Sequence, residues 1–234
     1  MGRMGRSVQP ANEHGTAGLS GPLWQLRYPS TRQAGDLGWV METLHPEYIV
    51  GIGGSAGGLS AYKALLDAVP SNTGMAFVII AHLYPTAHSQ LAEILSRHTK
   101  MPVAVASHAM PVRVNHVYVI PPDTDLFIES YRLKLVSPRA RRNVQVDLFF
   151  CSLAEAVGAR AIGIVLSGYD GDGTEGCKQI KAKGGTTFAQ DISAEVNLMP
   201  RHAEAAGWID FVLPADKIAE KLQRLVRASR SRRK

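Results

Sequence analysis

The chain has 234 residues, 45% of them hydrophobic, enough for one substantial core and too few for a second folded domain beside it. Two cysteines, Cys151 and Cys177, exclude a disulfide framework, and no stretch approaches the roughly 18 apolar residues of a membrane span. The net charge of +6 invites a nucleic-acid reading, but Lys221, Arg224, Arg227, Arg230, Arg232, Arg233 and Lys234 concentrate it at the C-terminal end. Without those seven residues the rest carries about −1, so nucleic acid is not expected as a partner.

Residues 1–45 mix Gly, Ser, Pro and polar residues without periodicity and read as a flexible extension. They lack the continuous apolar run of a secretory signal, and unpaired thiols suit a reducing cytoplasm. A folded domain is expected over 46–220. It opens with an apolar strand over 46–52, followed by Leu59, Tyr62, Leu65, Leu66 and Val69 at helical spacing. Met75 to Ala81 is a second apolar strand, Leu91, Ile94 and Leu95 mark a short helix, and Pro102–Ala106 and Val112–Ile120 are strand candidates. Asp125–Val136 alternates around Glu129-Ser130-Tyr131 as a hairpin does. A helix over 146–157, a buried strand over 162–167, a helix over 174–183, short strands at 186–189 and 209–213 and a helix from 215 complete the domain. The last 14 residues, 221–234, read as a solvated basic tail, and Arg139, Arg141 and Arg142 as a small basic cluster in a loop. The alternation predicts an α/β fold: a doubly wound, mostly parallel sheet with helices on both faces and an antiparallel hairpin.

Ligands of such sheets sit beyond the carboxyl ends of the strands, so those ends carry the chemistry. After the first strand, Gly53-Gly54-Ser55-Ala56-Gly57 fits G-x-S-x-G, a turn that exposes a serine hydroxyl. Gly51-x-Gly53-x-x-Ala56 also fits a dinucleotide fingerprint, but the second strand ends in His82 where that fold wants an acidic residue. A later strand ends in Gly168-Tyr169-Asp170-Gly171-Asp172-Gly173. Serine, histidine and carboxylate at three corresponding strand ends are the parts of an acyl-transfer triad. Taken singly, each has a plainer use: a cap for Ser55, a structural imidazole for His82, turn chemistry for the aspartates. His88 and His98 lack a metal-binding partner at i+4, and His202 reads as a surface or cap residue, so zinc hydrolysis is not favoured.

The chain resembles the catalytic domain of the CheB family of chemotaxis protein-glutamate methylesterases. The resemblance runs from about Ile49 to Ile218 through an ordered set of segments: Gly51–Gly58, Ala81-His82-Leu83, Val117–Pro122, Val146-Asp147-Leu148-Phe149, Leu166–Gly173, Ala189-Gln190-Asp191 and Met199-Pro200-Arg201. It implies hydrolysis of glutamate γ-methyl esters, with some glutamine deamidation, on the cytoplasmic helices of chemoreceptors, without cofactor, metal or membrane insertion. It implies Ser55 as nucleophile, His82 as general base and acid, and Asp172 as orienting carboxylate. Backbone N–H groups of Ala56 and Tyr169, which flank these turns, are the expected oxyanion donors. Asp170 stands where the family pattern has glycine and either sets a second carboxylate beside His82 or points to solvent. Residues 1–45 are too short for the family's receiver domain, so control by an attached receiver is not expected. A catalytically silent binding module on the same fold is the alternative.

Overall fold

The computed structural model describes residues 45–232, apart from 87 and 88. Nearly all of the expected N-terminal extension, and His88, lie outside the described residues. Seven parallel strands form one sheet in the order β3-β4-β2-β1-β7-β8-β9. At its centre β1 (Ile49–Gly54) lies between β2 (Ala76–Ala81) and β7 (Ala161–Val165). Towards one edge stand β4 (Val117–Val119) and β3 (Val103–Val105), and towards the other β8 (Thr186–Gln190) and β9 (Phe211–Leu213). All side chains of the three central strands are buried, which explains their unbroken apolar sequences. The separate antiparallel pair, β5 (Asp125–Glu129) and β6 (Arg132–Val136), turns at Ser130 and Tyr131, both with φ near +50° as a tight hairpin requires.

Helices cover both faces. On one, α1 (Gly58–Ala68), α2 (Leu91–Ser96) and α6 (Ala215–Arg232) bury Leu65, Leu66, Leu95, Ile218 and Leu222 against Ile52, Phe77 and Ile79. On the other, α3 (Gln145–Val157), α4 (Thr174–Ala182) and α5 (Leu198–Ala205) bury Phe149, Phe150, Ile180 and Met199, together with the hairpin. Glycines make the second face possible. A Cβ on Gly51 would meet Phe150 at 2.7 Å, and one on Gly53 would run into Val146. The spacing that mimics a dinucleotide fingerprint thus serves to seat α3 on β1.

Three boundaries differ from expectation. The strand over 112–120 shrinks to 117–119, because the Tyr118 hydroxyl takes the Arg113 N–H and bonds the Pro111 carbonyl, and Asn115 turns through φ +57°. Residues 198–205 form α5, which the strand-rich reading of that region lacked. The basic stretch from 221 is no tail up to Arg232: α6 runs through it, with Leu222 and Val226 buried beneath the charges. Cys151 is half-buried and Cys177 fully buried, both as free thiols.

Candidate active site

The strand order reverses direction between β1 and β7, which opens a crevice beyond their carboxyl ends. The turn after β1 enters it. Ser55 donates its N–H to the Ser167 carbonyl (2.8 Å) and accepts the Gly58 N–H (3.0 Å), a bend that holds the serine at the rim. Gly57 completes the turn at φ +70°, where a Cβ would meet Ser167 Oγ at 2.6 Å, so no other residue fits. Ser167 is itself fully buried. Its hydroxyl donates to the Ala56 carbonyl (2.7 Å) and accepts the Val196 N–H (2.9 Å), tying the serine turn to the segment after β8.

His82 follows β2, and its N–H bonds the Gly54 carbonyl (3.3 Å), so the imidazole and the serine turn share one anchor. Its side chain is 7% exposed and lies between two carboxylates. Asp172 Oδ2 accepts from Nε2 at 2.7 Å, and Asp170 Oδ2 stands 3.5 Å from Nδ1. The second carboxylate therefore faces the imidazole rather than solvent. Asp170 also receives the Asp172 N–H on Oδ1 (3.2 Å), the side-chain turn that shapes this loop. Nδ1 is buried and has no hydrogen-bond partner among the described residues. With Nε2–H given to Asp172, Nδ1 carries the lone pair of the neutral ring.

Asp172 owes its place to α3. Its carboxylate accepts the Val146 N–H (3.0 Å) and the Asp147 N–H (2.8 Å), two of the donors that a helix start leaves without an internal partner. The positive end of the α3 dipole meets a carboxylate that is 3% exposed, held by two backbone donors and the imidazole. Asp147 in turn accepts the Gly176 N–H (2.7 Å) at the start of α4. Burial, followed by the charges of Asp172 and Glu175, raises the Asp147 carboxyl to about 6 against the pull of its backbone hydrogen bonds.

Gly168 is pinned by bonds to the Val196 carbonyl and the Met199 N–H, both 2.9 Å, and a Cβ there would come within 3.1 Å of Ser55 Cβ. The chain just before Tyr169 therefore runs against the serine. The N–H groups of Ala56 and Tyr169 have no partner among the described residues. His202 is exposed and its ring lies along Gly171, while His98 bonds Asp67 at the surface (3.1 Å). Of the arginine cluster, Arg139 is 11% exposed and donates to the Leu83 carbonyl (3.3 Å), next to His82, instead of facing a partner. Among the described residues no three His, Cys, Asp or Glu side chains gather as metal ligands.

Comparison with known proteins settles the lineage. The family model described as CheB methylesterase matches residues 50–222. The chain belongs to the CheB methylesterase family. A relative in Leptospira interrogans is 35% identical over 178 residues, 74% of this chain and 92% of its own length. The protein-glutamate methylesterase/protein-glutamine glutaminase of Hydrogenovibrio crunogenus is 32% identical over 76% of this chain, which spans 49% of that longer protein. Among solved structures, the CheB methylesterase catalytic domain of Thermotoga maritima superposes with a TM-score of 0.70 at 30% identity, covering 76% of this chain and 98% of that domain. A CheB methylesterase domain thus accounts for the sheet, its helices and the separate hairpin.

Proposed function

We propose that this CheB-family chain is a serine hydrolase that demethylates glutamate γ-methyl esters on chemoreceptor cytoplasmic helices, through Ser55, His82 and Asp172. The pairing of His82 Nε2 with buried Asp172, beside the braced Ser55 turn, carries the reading. Asp172 fixes the Nε2–H tautomer and stabilises the imidazolium, so the base is Nδ1. Ser55 Oγ gives its proton to Nδ1 and bonds to the ester carbonyl carbon. The oxyanion takes the Ala56 and Tyr169 N–H groups, which are open to a ligand. Collapse breaks the ester C–O bond, and Nδ1 returns the proton to methanol. Water then attacks the acyl-enzyme by the same proton path, leaving a glutamate carboxylate and free Ser55. A glutamine amide would pass through the same acyl-enzyme and release ammonia, in keeping with the second activity named for the Hydrogenovibrio relative.

A protein substrate is supported by an apolar rim. Tyr84 (79% exposed), Tyr169 (64%), Ile192 (88%) and Leu198 (45%) stand on loops after β2, β7 and β8 and at the start of α5. Free thiols at Cys151 and Cys177 support a reducing, cytoplasmic setting. No described helix is long and apolar enough to cross a membrane. The reading is tested by methanol release from methylated receptor. Wild-type protein should release it and folded Ser55→Ala should not; equal release by both would remove the serine mechanism.

A further inference from the structure

The Val146-Asp147-Leu148-Phe149 segment contains a carboxylate that the triad does not use. We propose that Asp147 is a positioning residue: it clamps the start of α4 to the start of α3 and thereby holds Asp172 against His82. The proposal rests on the hydrolase reading of the site.

The geometry is reciprocal. Asp172 sits two residues before α4 and receives the α3 amides of Val146 and Asp147. Asp147 sits in the first turn of α3 and receives the Gly176 amide from the first turn of α4 at 2.7 Å. Each aspartate thus caps the helix that the other leads into or belongs to, and the two caps close a ring across the α3–α4 contact. Close approach makes the ring possible: a Cβ on Gly176 would lie 3.2 Å from Asp147 Cα and run into Phe150. Opening the Asp147 cap frees the end of the 168–173 turn, which together with the α3 amides sets where the Asp172 carboxylate meets Nε2. A charge-assisted N–H···carboxylate bond is roughly twice as strong as a neutral one, so an ionised Asp147 makes the tighter clamp.

This carboxylate is held at a cost. Asp172 and Glu175 press negative charge on it, the Cys151 and Cys177 thiols lie in its field, and no described cation pairs with it. A group that destabilises the fold in its charged form, yet orders the orienting carboxylate, trades stability for activity. That trade separates positioning from a merely structural role. If Asp147 only supported the fold, neutralising it would lower activity together with melting temperature. If it positions Asp172, activity falls while the fold becomes no less stable.

The experiment compares wild type, Asp147→Asn and Asp147→Ala on a synthetic helical peptide carrying a glutamate γ-methyl ester. Melting temperature and the low-field proton resonance of the Asp172-bonded His82 Nε2–H are measured on the same samples. Expected at pH 7.5 is a kcat lowered about three-fold in Asp147→Asn and about ten-fold in Asp147→Ala, with KM within two-fold. Asp147→Asn should melt at or above wild type, and the low-field resonance should move or broaden in both variants. Wild-type kcat in Asp147→Asn with an unmoved resonance overturns the proposal. So does a kcat that falls only in step with melting temperature. If Asp147→Ala does not fold, Asp147→Asn decides alone by the same criteria. A wild-type chain that cleaves no ester removes the hydrolase reading, whereas the resonance, which needs no substrate, still decides whether the clamp sets the Asp172–His82 pair.

Discussion

Asp172 and Asp147 stand on opposite sides of one helix junction, and each accepts the backbone donors that begin the other's helix. The orienting carboxylate is therefore fixed by main chain on one side and by imidazole on the other. In the proposed mechanism this lets it select the proton-bearing nitrogen of His82 and support the positive ring during proton transfer.

Asp172→Asn keeps the side-chain shape but removes the charge that favours Nε2–H. We expect kcat to fall by about 10³–10⁴, the loss typical of a triad deprived of its carboxylate, with circular dichroism unchanged. Methanol release within ten-fold of wild type would show that Asp172 does not orient the base.

Asp147 makes stability depend on pH. Its carboxyl titrates near 6 in the fold, above the ordinary value of about 4, so the folded state holds its proton more tightly than the unfolded chain. The destabilising charge is absent below pH 4, develops between 4 and 6 and is complete above 6. Because the carboxyl is half-buried and partly screened, the effect is about 1 kcal/mol. Urea unfolding should find Asp147→Asn more stable than wild type by that amount at pH 7.5, with the gap closing by pH 4. A constant gap would mean the titration lies elsewhere.

Gly53 leaves space for Val146, whose N–H donates to Asp172. Gly53→Ala should force α3 away from β1 and cost about 1–3 kcal/mol in urea unfolding, the usual range for overpacking. It should also lower kcat, since Val146 moves with the helix. A neutral effect on both would show that α3 can retreat without disturbing the carboxylate.

The apolar rim is expected to grip the substrate without touching the chemistry. Replacing Tyr84 and Ile192 together by serine should raise KM for methylated receptor about ten-fold, roughly 1.4 kcal/mol, with kcat little changed. An unchanged KM would locate docking elsewhere.

Much of this was legible from local pattern. Unbroken apolar runs marked β1, β2 and β7 because those strands are covered on both faces, and the strand ends then singled out Ser55, His82 and Asp172. Asp170 was visible as an extra carboxylate, but only its side-chain direction tells whether it meets solvent or Nδ1. The α6 extension was obscured because a row of arginines masks the sparse apolar positions Leu222 and Val226. Ser167 carried no signal beyond its place in a motif, since a hydroxyl's importance depends on which backbone groups surround it.

By itself the sequence determined the layered α/β architecture and the three residue types at the strand ends. Both arise from short-range periodicity and from the direction in which a parallel strand leaves its sheet. Only the tertiary structure decided that Gly51 and Gly53 seat a helix, that Asp172 takes Nε2 and leaves Nδ1 without a partner, and that Asp147 closes the ring around it. Those relationships join residues 25 to 99 positions apart, so they exist only once α3 is packed against the centre of the sheet.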